Sequence, residues 1–313
     1  MACEGCTNSL RQLAVRCEDR RRVVDFLVSH NMLRRFRNCP TCGVAVEVNI
    51  NSYLHVCARV RYTDRSEQKK APKKTQCQFK RSCRVGTFFE RSHLPLEDIT
   101  YFIGVWCIAR FPRQAMAQLE LGWSSATIVD WSSFCREVCF NWALSNSMKI
   151  GGPGVIVEID EAKFGRRKYN RGRRIEGQWV FGGFDRTTKN VFLVPVPSRD
   201  APTLLGVIRE WIHPGSVVVS DCWRAYNTLE EEGFQHLSVN HSLNFVNPTD
   251  PEAHTQNIER TWRDVRGGLP RYGRRTEHFV GYLAEFLFKR RFPLGERVHE
   301  FCLAAAVLYP PPS

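Results

Sequence analysis

Three carboxylates have the types and spacing to do chemistry together. Asp160 closes the apolar run Val155-Ile156-Val157-Glu158-Ile159, and Asp221 closes a second one, Ser216-Val217-Val218-Val219-Ser220. Glu259 follows within His254-Thr255-Gln256-Asn257-Ile258-Glu259-Arg260-Thr261-Trp262, a stretch of helical character. Two Asp at strand ends and a Glu on a later helix can converge on two divalent metals about 3.5–4 Å apart, the arrangement that serves in-line phosphoryl transfer. Mg²⁺ or Mn²⁺ fits, because a hard cation takes carboxylate oxygens and keeps several waters. Each acid also has an ordinary role open to it: Asp160 as a loop cap, Asp221 as the cap of a helix starting at Cys222, Glu259 as a surface helix acid. Strand alternation puts Glu158 on the face of Asp160, and makes Glu161 point away or sit in the loop. Asp185 reads as a turn residue. His241 and His254 bracket the approach to Glu259 and read as polar packing residues.

The cysteines suggest a second kind of site. Cys39-Pro-Thr-Cys42-Gly43 is a tight turn that points two thiolates at one ion. The partner pair is expected one hairpin later, at Cys77-x5-Cys83, so that Cys39, Cys42, Cys77 and Cys83 hold one structural Zn²⁺. His55 and Cys57 lie between, in strand-like sequence, and read as packing residues that become spare ligands if the register differs. Cys3-x2-Cys6 has no clear second pair of its own and reads as a free N-terminal tail.

The chain of 313 residues carries 45 Lys+Arg against 32 Asp+Glu, a net charge of +13. That balance favours a polyanionic partner, nucleic acid before a membrane. Residues 163–174 hold seven basic residues and no acidic one. Within them, Arg166, Arg167, Lys168, Arg171, Arg173 and Arg174 are expected phosphate contacts, with Arg263 and Arg266 on the helix of Glu259 and Arg271, Arg274 and Arg275 beyond it. No apolar run approaches the roughly 18 residues of a membrane span, and the N-terminus lacks the apolar core of a signal peptide. The 13 cysteines are odd in number and scattered, which fits a reduced, non-secreted protein, nuclear in a eukaryote and cytoplasmic otherwise.

Positioning these residues requires five segments. Residues 1–36 read as an N-terminal helical segment, with the helix over 8–36. Residues 37–93 form the zinc ribbon, its strands at Val46–Ile50 and Leu54–Val60 and a basic loop at 65–74 as its tip. Residues 94–150 are helical, and Gly122 followed by a Ser cap makes a helix-turn-helix whose second helix, Ser125–Val138, would enter a major groove. Gly151-Gly-Pro-Gly154 is a linker. Residues 154–295 switch to strands: 155–160, Gln178–Phe184, Val191–Val196, a helix at Ala201–Ile212, then Ser216–Ser220. This β-β-β-α-β order is the ribonuclease-H-like mixed sheet, in which strands one and four are neighbours and Asp160 meets Asp221. Residues 296–313 form a tail.

At these motifs the chain resembles the Merlin superfamily of DNA transposases and its insertion-sequence relatives with an ISXO2-like domain. The resemblance rests on Val157-Glu-Ile-Asp160-Glu161, Ser220-Asp221-x4-Tyr226 and His254-x4-Glu259-x2-Trp262. It rests also on Cys39-x2-Cys42, the later cysteine pair and Gly86-Thr-Phe-Phe-Glu-Arg-Ser92-His-Leu-Pro-Leu96. It spans about residues 36–292. It implies a metal-dependent DDE transposase that binds terminal inverted repeats of double-stranded DNA, cleaves and transfers strands, and acts as a homodimer or higher assembly. The implied catalytic acids are Asp160, Asp221 and Glu259, with Asn257 or Gln256 in reserve for the third place. Arg266 stands where relatives often carry Lys, which keeps the charge and changes the geometry. The rival expectation is a domesticated, non-catalytic DNA-binding protein.

Overall fold

The computed structural model describes residues 3–63, 73–109, 113–165, 177–221, 224–226, 228–239, 254–269 and 278–312. The chain divides into two compact units, Met1–Cys139 with Arg291–Ser313, and Phe140–Arg290. Most of the ribbon's 65–74 tip, residues 166–174 of the basic loop, His241, Arg271, Arg274 and Arg275 lie outside the described residues.

The first unit opens with α1 (Leu10–Cys17) and α2 (Arg20–Ser29) where the sequence suggested one helix over 8–36. Local capping divides it. Ser9 and Gln12 form a reciprocal capping box at the start of α1. The Asp19 side chain accepts from the Arg21 and Arg22 amides and so starts α2.

The ribbon follows, with β1 (Phe36–Asn38), β2 (Ala45–Asn49), β3 (Leu54–Cys57), β4 (Val60–Thr63), β5 (Lys73–Gln76) and β6 (Phe79–Ser82). Strands β1, β2, β3 and β6 form one sheet in that order, and β4 pairs with β5. The knuckle turns at Gly43, whose amide donates to the Cys39 carbonyl at 2.8 Å. Its sulfurs face Cys57 and Cys77, and the thiol atoms of Cys39, Cys42, Cys57 and Cys77 all lie within 4.8 Å of one another. The fourth cysteine of this cluster is Cys57 and not the expected Cys83, and the strand register is the reason. Val60 pairs with Gln76, so the β4–β5 hairpin brings Cys57 and Cys77 together at its base. Cys57 also pairs with Phe79 while Leu54 pairs with Ser82, which sends Cys83 past the other end of the β3–β6 ladder, about 13 Å along the strand at about 3.3 Å per residue. Cys83 is buried there, its amide donates to the Tyr53 carbonyl, and burial pushes its thiol up to about 11.

Helices α3 (Leu96–Ile108), α4 (Arg113–Leu121) and α5 (Ser125–Asn146) complete this part of the chain. The period of Leu96, Ile99, Phe102, Ile103 and Trp106 predicts one buried face for α3, and the face is wider than that stripe: Thr100, Gly104, Val105 and Cys107 are buried as well. Phe102 stacks on Trp123 at 5.2 Å. The turn between α4 and α5 has Gly122 at φ +65. There Ser124 accepts from the Thr127 amide at 3.1 Å, so the predicted Gly and Ser cap both sit at the turn. Residues 297–308, read as tail, form α9 (Arg297–Leu308), with Val298, Phe301, Cys302 and Ala305 buried in the first unit.

The second unit contains β7 (Ile150–Gly151), β8 (Ile156–Phe164), β9 (Gln178–Asp185), β10 (Val191–Val196), α6 (Ala201–Trp211), β11 (Ile212–His213), β12 (Val217–Asp221), β13 (Gln235–Val239), α7 (Gln256–Gly268) and α8 (Phe279–Arg291). The main sheet runs β10-β9-β8-β12-β13. The first three strands are antiparallel, while β12 is parallel to both β8 and β13. This is the ribonuclease-H-like topology expected from the strand order. One face packs α6 through Val157, Ile159, Leu204 and Ile208. The other packs α7 and α8 through Ala162, Phe164, Trp262 and Leu283.

The glycine stretch 151–154 is a structural part of this unit rather than a linker. Gly151 pairs in β7 and its amide donates to Asp185 at 3.0 Å, while Gly152 donates to the Ser216 hydroxyl at 2.9 Å. Gly151 has φ +83, and a Cβ there would stand 2.3 Å from that hydroxyl, so no other residue fits.

Candidate active site

Strand β8 runs to Phe164, so Asp160 lies mid-strand and not at its end. The opening beside it comes from the ladder. The β8–β12 pairing stops at Glu158↔Val219. Beyond that point β8 continues against β9 alone, to Phe164↔Gln178, and β12 continues against β13, to Asp221↔Val239. The two parallel strands therefore part, and Asp160 and Asp221 flank the gap at the carboxyl end of β12. Open α/β sheets place ligands in such crevices.

The oxygens of Asp160, Glu161 and Asp221 lie within 4.8 Å of one another. Glu161 was expected to point away or sit in a loop. It does lie on the opposite face by alternation, where Tyr226 donates to it at 2.6 Å. The parting of the strands nevertheless lets its carboxylate join the other two. The Asp160 Oδ1 accepts from the Glu161 amide at 2.8 Å, and its Oδ2 accepts from Trp262 Nε1 at 2.9 Å. Burial, then the charges of Glu161 and Asp221, push the Asp160 carboxyl up to about 7, against the pull of the Glu161 amide and the Trp262 donor. Burial also raises Glu161, although Tyr226 opposes it, and holds the Tyr226 hydroxyl well above its ordinary range.

Helix α7 is fixed over this site at two points. The first is Glu158, wholly buried, which shares the face of Asp160 as alternation requires. One of its oxygens accepts from the Asn257 and Ile258 amides at 2.8 and 3.0 Å, the other from Asn257 Nδ2 and Arg186 Nε, both at 2.7 Å. A carboxylate at a helix N-terminus satisfies orphan amides and meets the favourable end of the helix dipole. The second point is Trp262. It packs on Gly182, the residue opposite Asp160 in register. A Cβ at Gly182 would lie 2.7 Å from the indole, so this glycine admits the ring that reaches Asp160.

Glu259 stands in the first turn of α7, exposed, and accepts from the Thr255 hydroxyl at 3.2 Å. It is not within the 4.8 Å cluster of the other acids. The reserve ligand Asn257 is committed to Glu158, and Gln256 is exposed at the helix start. Arg266 is exposed, with its guanidinium 5.5 Å from the Phe164 ring at the end of β8; Arg263 is exposed on the same helix. Asp185 is the expected turn residue, accepting from Thr187 and Thr188. His254 accepts from Arg186 through its carbonyl at 2.7 Å.

The β10-β9-β8-β12-β13 order makes this a ribonuclease-H-like domain, and the parted parallel strands give it an acidic crevice lined by three carboxylates. The ISXO2-like transposase domain matches residues 150–291. An uncharacterized transposase-like protein of Haemophilus influenzae is 34% identical over 96 residues, which cover 30% of this chain and 76% of that protein. The chain belongs to the ISXO2-like transposase family. Among solved structures, a chain of the simian T-cell lymphotropic virus intasome in complex with PP2A regulatory subunit B56 gamma aligns at 16% identity and TM-score 0.28, over 56% of this chain and 64% of that one. The catalytic core domain of BIV integrase aligns at 12% identity and TM-score 0.26, over 49% and 82%. Both likenesses are too loose to carry argument; the fold rests on the strand order.

Two outcomes are expected. Glu158→Gln sets an NH₂ against N–H donors on one side of the side chain and removes the charge that faces Arg186; it should cost about 3–5 kcal/mol of stability, the range for breaking a buried charged pair. Hydrogen exchange should quicken at residues 256–262 while α9 keeps its protection. The second outcome concerns pH. Asp160 keeps a proton in the folded chain up to about 7 that it would release near 3.8 when unfolded. The folded state then binds more protons, so stability of the metal-free protein falls as pH rises from about 4 to 7 and levels off above. Thermal melts in chelator should show this slope, and saturating Mg²⁺ or Asp160→Asn should flatten it.

Proposed function

We propose that this chain is a DNA transposase that cuts at transposon ends and joins them to target DNA, using Asp160, Asp221 and Glu259 as its catalytic acids. The observation that carries the reading is the convergence of Asp160 and Asp221 at the parted strands beneath a helix held in place by Glu158 and Trp262. Family membership supports it.

The donor set suits a hard divalent cation, because clustered carboxylates are costly without one: the charges of Glu161 and Asp221 add to burial in raising Asp160. Asp160, Asp221 and Glu259 would hold two Mg²⁺ or Mn²⁺, with Glu161 beside them; bound there, the metals would activate the attacking oxygen and stabilise the leaving one. Trp262 keeps one Asp160 oxygen oriented, and Tyr226 does the same for Glu161. In the first step a water oxygen bonds to phosphorus and the 3′-oxygen leaves as a hydroxyl. In the second, that hydroxyl attacks a target phosphodiester and displaces its 3′-oxygen. Neither step needs a covalent protein intermediate.

Affinity for double-stranded DNA would come from Arg166, Arg167, Lys168, Arg171, Arg173 and Arg174, and from Arg263 and Arg266 on α7. Sequence preference would come from α4 and α5, whose turn leaves Ser124, Ser125 and Ala126 exposed at the start of α5. Joining two ends calls for at least two copies of the chain. The ribbon would hold one Zn²⁺ through Cys39, Cys42, Cys57 and Cys77. The 3.7 Å between Cys42 and Cys57 sulfurs is the separation that tetrahedral Zn–S bonds of about 2.3 Å impose.

Asp160→Asn, Asp221→Asn and Glu259→Gln should bind transposon-end DNA like wild type and lose nicking in Mg²⁺ by about a thousandfold or more. Normal cutting by both Asp variants would end this reading; normal cutting by Glu259→Gln alone would move the third role elsewhere on α7 or to Glu161. For the ribbon, Cys57→Ser should lower zinc content by one ion relative to wild type, whereas Cys83→Ser should leave it unchanged. The reverse result would restore Cys83 as a ligand.

A further inference from the structure

We propose that Cys3, Cys6, His30 and His299 form a second structural zinc site, of Cys2His2 type, that binds the start of the chain to α2 and α9. All four belong to the first unit, and one donor atom from each lies within 4.8 Å of the other three. Cys6 Sγ stands 3.4 Å from His30 Nε2 and 3.6 Å from His299 Nδ1, and the two nitrogens are 3.0 Å apart. Tetrahedral zinc with Zn–S of about 2.3 Å and Zn–N of about 2.0 Å places its donors roughly 3.3–3.8 Å apart.

The surroundings are those of a ligand set. His30 ends α2 and is 1% exposed; His299 is 6% exposed. The His30 Nδ1 lies 2.7 Å from the Phe26 carbonyl, which can only accept. Nδ1 therefore carries the proton, and Nε2 turns a lone pair toward the cluster, the orienting device common to metal-bound histidines. Cys3 is placed by its own amide, which donates to the Ser29 carbonyl at 2.8 Å. The Cys6 sulfur accepts from Asn8 Nδ2 at 3.2 Å. Arg16 donates to Asn8 Oδ1 at 2.7 Å, and a cation requires the oxygen there, so the NH₂ must face the sulfur. A donor aimed at sulfur suits a thiolate better than a thiol. The Asn8 amide also donates to the Gly295 carbonyl at 2.7 Å, which clasps the same ends together just before α9. An open groove lined by Cys3, Cys6, Arg16, Phe26, Ser29 and His30 gives the ion a way in.

The metal-free alternative is a packed pair in which His299 donates to His30. It uses the two imidazoles and leaves two thiols, weak hydrogen-bonding groups, converging on them. The zinc arrangement uses all four donors. It closes the chain between residues 6 and 299, a separation of 293 in sequence. Cross-linking so long a loop restricts the unfolded chain strongly.

The test is zinc content and ligand type in the full chain, purified without chelator. Wild type should hold about two zinc ions per chain with, by X-ray absorption, about three sulfurs to one nitrogen on average. Cys3→Ser with Cys6→Ser, and separately His299→Ala, should each drop the content to about one ion held by sulfur alone. Cys39→Ser with Cys42→Ser should retain one ion with mixed sulfur and nitrogen ligands. Two outcomes overturn the proposal: wild-type zinc surrounded by sulfur alone, or unchanged zinc content on loss of Cys3 and Cys6. The wild-type absorption measurement stands even if a variant fails to fold. The nicking assay tests the transposase reading separately.

Discussion

The buried carboxylate of Glu158 is the constraint on which the catalytic unit depends. A charge with no exposure must be fully hydrogen-bonded, and Glu158 meets that demand with two helix amides, one side-chain amide and Arg186. Its partners come from the β9–β10 turn and the start of α7. The acid therefore fixes the helix to the strand two residues before Asp160. An aliphatic residue there would fill the space but would leave the amides of Asn257 and Ile258 unsatisfied. The position carries Glu because the helix must begin at that point.

With the helix start fixed, the remaining geometry follows from small residues and ladder length. Gly182 lets Trp262 approach β9 closely, and the indole then reaches Asp160. The β8–β12 ladder ends at Glu158, and the strands diverge where Asp160 and Asp221 stand. Divergence also admits Glu161 from the other face. Acids from both faces of one strand thus meet in one crevice, which regular pleating would forbid.

Much of this was legible in the sequence, for identifiable reasons. Apolar runs ending in Asp gave strands β8 and β12 and their adjacency, because a β-β-β-α-β order leaves few ways to arrange a sheet. Alternation gave the face of Glu158. It could not give the joining of Glu161, because where two strands part depends on pairing partners distant in sequence. β13 escaped notice: Gln235-His-Leu-Ser-Val239 has few apolar residues and is a strand because β12 offers it an edge. Cys57 was set aside as a packing residue because a strand position looks like packing; only the Val60↔Gln76 register puts it beside Cys77. The single helix expected over 8–36 failed on Asp19, whose capping role competes with the apolar period around it. His299 carries no local signal at all, since its neighbours Cys6 and His30 lie near the other end of the chain.

The charge distribution of the molecule bears on how binding and chemistry divide. A net charge of +13 coexists with a crevice where three carboxylates crowd together and where burial, then the charges of Glu161 and Asp221, raises Asp160 to about 7. Bare, such a crevice repels a phosphate backbone, so the proposed affinity for DNA would be supplied by other surfaces. The basic run beginning after Gly165 follows β8 directly in sequence, and Arg266 rests against Phe164 at that strand's end. Strand β8 therefore carries the acids at its middle and leads into the cations at its end. A backbone gripped by those cations would be brought to the crevice without depending on the acids, and the acids would matter only once divalent cations had offset their charge. The repulsion is confined to a crevice that α7 braces from one side, through Glu158 and through the Trp262 indole that holds one Asp160 oxygen.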